Sequence, residues 1–155
     1  MSTPLKRHEG LKPLSRDHHQ GLLLCWKIRE GLKKDISPER IKAYASFFYE
    51  TQLIPHFAFE EKEIFPLLGE QNPLRKQAVN EHSRLVALFT EDYDPEKAVT
   101  EIATALEDHI RFEERVLFQE IQHQTEKKIL SEIGEKENKL KTPDPDDWED
   151  QFWKK

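Results

Sequence analysis

Apolar residues recur along the chain three and four positions apart, the spacing of helices that each bury one stripe. Ser15 reads as an N-cap opening a helix over 16–34, with apolar positions at Leu22, Leu23, Trp26 and Ile28. Ser37-Pro38, Asn72-Pro73 and Asp94-Pro95 repeat one signal, a capping side chain followed by proline at the first helical position, where a missing N–H costs nothing. They open helices over 38–68, 73–92 and 95–122. Gly69 reads as the stop of the second, and Pro55 predicts a bend or break just before His56.

The expected fold is all-α, an up-down-up-down four-helix bundle with an extra C-terminal helix and tail, because four helices are joined by short connections. Residues 1–14, with Pro4, Gly10 and Pro13, read as an irregular N-terminal segment, and 15–122 as the bundle. Residues 123–155 read as a shorter helix capped by Thr125 and then an acidic tail, KTPDPDDWEDQFWKK. Its proline and acid content suggests disorder, but Trp148, Phe152 and Trp153 favour docking onto the bundle.

Composition narrows the class. The 155 residues are 36% hydrophobic and 35% charged, a mix that suits one amphipathic domain. The net charge of −6 comes without a basic cluster, which argues against a nucleic-acid partner. No apolar run approaches the ~20 residues that span a bilayer, and the first residues lack the apolar stretch of a secretory signal. A cytoplasmic protein without a membrane partner is expected. Cys25 stands alone, so no internal disulfide forms.

The most informative feature is an internal repeat. HFAFEEKEIF (56–65) aligns with HIRFEERVLF (109–118), and Asp17-His18 answers Glu81-His82. Each half is thus a helical hairpin with one His on its first helix and His-x-x-x-Glu on its second. Residues four apart share a helix face, so His56 with Glu60 and His109 with Glu113 form two paired faces. One such pair is more often a solvated salt bridge. Two in matched contexts point to a metal site in a bundle core, with imidazole and carboxylate donors that suit iron, manganese or zinc.

These pieces (DHH at 17–19, HFAFEE at 56–61, EH at 81–82, HIRFEE at 109–114) resemble the hemerythrin-like, HHE cation-binding family over about 14–122. The resemblance implies two iron ions in a non-haem di-iron centre with a bridging oxo or hydroxo group. Its ligands would be His18, His56, Glu60, His82, His109 and a glutamate at 113 or 114. The repeat aligns His18 with His82, leaving His19 outside the core, and favours Glu113 over Glu114.

Two departures stand out. Oxygen-carrying members place a second His four residues before the position of His82, where this chain has Ala78, and an Asp at the position of Glu114. Reversible oxygen carriage is therefore not expected. Glu63 shares the face of His56 and Glu60 and reads as an interhelical ion pair more than a ligand. Glu81 reads as a partner of a ligand imidazole or as a solvated acid. Phe59 and Phe112 read as walls of the site, and Cys25 as core. Two functional readings follow: a centre that binds, senses or reacts with oxygen, nitric oxide or peroxide, or a metal-dependent regulatory module without turnover.

Overall fold

The computed structural model describes residues 7–154, and these are all-helical, without strands. The first six residues of the expected N-terminal segment lie outside the described residues. Arg7 onward leads through a 3-10 turn (Glu9–Leu11) into α1 (Lys12–Lys33), which starts earlier than its sequence suggests because Pro13 occupies its first turn. Ser15 is consequently inside the helix rather than capping it. The helix ends with Asp35 in the left-handed region, φ 58°, while Ile36 N–H reaches back to the Gly31 carbonyl at 2.9 Å.

The second helical stretch is continuous over 38–67. It comprises α2 (Pro38–Phe48), a π turn (Tyr49–Leu53), α3 (Ile54–Phe59), a second π turn (Glu60–Ile64) and a 3-10 turn (Phe65–Leu67). The first π turn accommodates Pro55, whose ring would otherwise meet the preceding turn. Gly69 follows the stretch but adopts no left-handed conformation. Next come α4 (Pro73–Thr90) and α5 (Pro95–Phe112), which continues through a third π turn (Glu113–Leu117) into α6 (Phe118–Gln124). Ser37, Asn72 and Asp94 cap as expected, accepting from the N–H groups of Arg40, Leu74 and Lys97. α7 (Lys127–Asn138) begins without a side-chain cap, so Thr125 does not play that part.

Two apolar clusters make the core. One gathers Leu24, Ile28, Tyr44, Phe48, Leu85, Ile102 and Leu106; the other gathers Leu11, Leu14, Ile64, Phe65, Ala78, Leu117 and Phe118. Each of the four stretches passes from one cluster to the other, and each carries a buried histidine at the crossing: His18, His56, His82 and His109. A polar layer therefore lies between two greasy ones.

The chain ends close the bundle. Gly10 and Gly134 touch, and a Cβ on Gly134 would sit 2.7 Å from the Gly10 Cα, so α7 packs on the lead-in turn only because both lack side chains. The acidic tail docks rather than straying. Phe152 and Trp153 are buried in the first cluster, and Tyr44 O–H donates to the Pro145 carbonyl at 2.9 Å. Buried Lys27 donates to Tyr44 Oη at 2.9 Å and to Asp146 at 2.8 Å, with its ammonium 4.2 Å from the Trp153 ring centroid.

Trp153→Ala removes a buried indole and the ring above that ammonium, so unfolding free energy should fall by about 3 kcal/mol. Urea denaturation of the variant checks this; an unchanged midpoint would mean that the tail contributes nothing to the fold.

Candidate metal centre

Inside the polar layer, the inward atoms of the two hairpins converge. Glu60 and Glu113 are fully buried at 0% exposure, at the middle of a ring formed by the four histidines. His56 Nε2 and His82 Nε2 each lie 3.2 Å from Glu60 Oε1, while His18 Nε2 lies 2.8 Å from Glu113 Oε1 and His109 Nε2 3.4 Å from Glu113 Oε2. Two sets of four donors result: His18, His56, Glu60 and Glu113, and Glu60, His82, His109 and Glu113, each within 4.8 Å. The two glutamates belong to both.

The outward nitrogens complete a second ring. Asp17 meets His56 Nδ1 at 3.0 Å, Glu81 meets His109 Nδ1 at 2.7 Å, Glu61 meets His82 Nδ1 at 2.7 Å, and Glu114 meets His18 Nδ1 at 2.6 Å. The pattern follows the repeat. The acid before each first-helix histidine serves the second helix of its own hairpin, whereas the acid after each buried glutamate serves the first helix of the other. A carboxylate on Nδ1 keeps that nitrogen protonated and aims the Nε2 lone pair inward, the arrangement that orients metal-ligating imidazoles.

Glu114, the rival of Glu113 in the sequence, thus takes an outer place, where it also accepts from Arg7 at 2.9 Å and from Ser15 at 2.8 Å. Glu81 is the imidazole partner and not merely a solvated acid. Asp17, Glu61 and Glu114 were legible only as the acids beside DH and in the two Glu-Glu doublets; spacing along one helix does not reveal a partner on another. His19 is exposed, Glu63 pairs with Lys136 at 3.1 Å, and Ala78 is buried in the second cluster.

The π turns begin at Glu60 and Glu113, so the same local rewinding follows each buried carboxylate. The walls differ from expectation. Phe57 stacks on His82 at 4.0 Å and Phe118 on His18 at 5.3 Å, with Phe65 5.0 Å from His82. Phe59 and Phe112 belong to the second apolar cluster instead. The walls also break the repeat symmetry. Phe57 corresponds to Ile110 and Leu85 to Gly21; a small cavity of about 10 Å³ lies where Gly21 and Ile110 flank His18 and His56, room for one water-sized molecule.

A metal fits this donor set. Both oxygens of Glu60, Oε2 of Glu113 and the Nε2 atoms of His82 and His109 are buried without a hydrogen-bond partner. Orphaned polar atoms are costly in a protein interior, and here all five face one another.

Without metal, charges hold the layer together. Burial pulls the His18, His56 and His109 imidazoles down, but the facing carboxylates outweigh it and raise all three, His109 to about 10. Burial likewise pushes Glu113 up, yet His109 and His18 hold it well below its ordinary 4.5. Raised histidines contribute stability that is complete below 6.5 and lost as pH climbs toward 10, whereas Glu113 contributes above 4.5 and loses its share as pH falls. The denaturation midpoint of metal-free protein should therefore drop from pH 6.5 toward 10. A flat profile across that window would show that these histidines are neutral in the folded chain.

Comparison with known proteins agrees with the geometry. Neither the curated proteins nor the solved structures include a significant match. A family model does match: that of the Hemerythrin HHE cation binding domain, over residues 9–121. With most of its length covered, and with its buried His and Glu groups meeting inside that span, the chain belongs to the hemerythrin HHE cation-binding family.

Proposed function

We propose that this protein holds a non-haem di-iron centre that binds, senses or reacts with oxygen, nitric oxide or peroxide. His18 and His56 would hold one metal and His82 and His109 the other, with Glu60 and Glu113 belonging to both donor groups. The observation that carries this reading is the set of orphaned donor atoms in a layer whose four imidazoles are each backed by a carboxylate. Four protein donors for each ion would leave positions free on a metal that prefers six, and the cavity beside His18, His56 and His109 has room for one water-sized ligand. Bound iron supplies redox and Lewis-acid chemistry toward such ligands.

The chain's own residues set the conditions. The outer acids orient the imidazoles and make them better donors, and the two shared carboxylates offset the charge of adjacent cations. Phe57, Leu106 and Ile110 keep bulk water from the cavity. In this reading 15–122 form an up-down-up-down bundle, supported by the short connections at 34–37, 68–72 and 91–94, with 123–155 as its cover.

Metal analysis tests the assignment. Iron-reconstituted protein should hold about two irons per chain, one for each four-donor group. His18→Ala should lower that content and weaken the visible absorption of the centre, whereas His19→Ala, on the exposed face, should change neither. Wild-type protein that retains no metal would sink the proposal, and the reverse order of the two variants would mean that another register of α1 supplies the ligand.

The same geometry predicts that the centre does not carry oxygen reversibly. Ala78 contributes no donor and Glu63 is engaged by Lys136, so both metals keep the same sparse ligand set. Reduced protein exposed to oxygen should convert to a ferric form that persists when oxygen is withdrawn. Repeated return to the reduced spectrum without added reductant would refute this.

A further inference from the structure

The buried donors need an access route, since every ligand histidine is at most 5% exposed and both glutamates are sealed. One of the four outer acids stands apart from the others. Glu114 is neutralised by Arg7, Glu81 receives a hydrogen bond from Gln77 at 2.8 Å, and Glu61 is open to solvent on its helix. Asp17 instead faces a second carboxyl group, Glu137, contributed by α7. Asp17, Glu137 and His56 offer donor atoms within 4.8 Å of one another.

Two features single this cluster out. Glu137 is 8% exposed, and its Oε2 has no hydrogen-bond partner. The cluster also lines a polar cavity of about 170 Å³, bordered by Arg16, Gln52 and Thr142. Arg16 reaches Asn138 at 3.2 Å, and no ion pair joins it to either acid among the described residues. α7 lies outside the internal repeat, so nothing in the symmetry of the centre calls for an acid here. Placing a second carboxyl beside Asp17 in a partly desolvated cavity is destabilising by itself. Without a cation the two carboxyl groups hydrogen-bond to each other, and a divalent cation between them would replace that bond and engage the orphaned oxygen. His56 joins the two compartments, with Nδ1 against Asp17 and Nε2 at the centre.

We propose that Asp17 and Glu137 form an outer cation station, through which ferrous iron reaches the buried centre along the face of His56. The inference rests on the di-iron reading above. Glu137 acts on delivery and is not a ligand of the finished centre; its charge is needed at the station but not inside.

Anaerobic loading of metal-free protein with ferrous iron tests this, with both the rate of uptake and the final content measured. Glu137→Gln should slow loading at least ten-fold while still reaching the wild-type content. Glu63→Gln, which removes an acid paired to the same helix, should load at the wild-type rate. If Glu137→Gln loads as fast as wild type, the station is overturned and the di-iron reading stands. A lower final content would also overturn it, showing that Glu137 supports the centre itself. Wild-type protein that takes up no iron would overturn both.

Discussion

Glu60 and Glu113 sit at the middle of the bundle without any access to water. A carboxylate in that position costs several kcal/mol unless oppositely charged or hydrogen-bonding groups surround it. Four imidazoles provide those groups, and each must come from a different helical stretch to reach both carboxylates. The histidines in turn need acids behind them, which is why each buried position drags an outer acid with it. Helix register, the π turns that begin at Glu60 and Glu113 and the choice of wall residues all bear on holding this layer together.

The layer also divides the molecule. Apolar packing above and below it supplies the stability that a charged interior does not, and the lead-in turn, α7 and the docked tail strengthen both ends. Lys27 and the docked tail close the first cluster, while the Gly10–Gly134 contact lets α7 cover the second. A bundle of this size has little stability to spare.

The repeat makes two equivalent four-donor groups, yet the surroundings differ: Phe57 and Leu85 pack one side, Ile110 and Gly21 the other. The space that results lies beside His18 and His56 and reaches His109. α7 deepens the difference by bringing Glu137 to the same side. Equivalent donor groups thus sit in unequal surroundings.

Much of this was written along the chain. Proline after a capping residue marks three helix starts, and a duplicated His-x-x-x-Glu identifies the inward faces, because both signals act within a few residues of backbone. The repeat also ranked His18 above His19 and Glu113 above Glu114, since a shift of one residue turns a side chain by about 100°. What depends on contact between distant segments was not legible. Ser15 and Thr125 look like caps, but Pro13 and the path of the chain decide otherwise. Asp17 and Glu61 give no sign of a partner, Glu81 reads as an imidazole partner or a solvated acid, and Glu114 as a rival ligand, until the helices assemble and each meets an imidazole on another one. Phe57 and Phe118, rather than Phe59 and Phe112, face the histidines because the bundle's packing sets which flank of each helix turns toward the layer. Glu137 had no signal at all: its place beside Asp17 arises only when α7 folds back over α1, a contact fixed by two glycines more than a hundred residues apart.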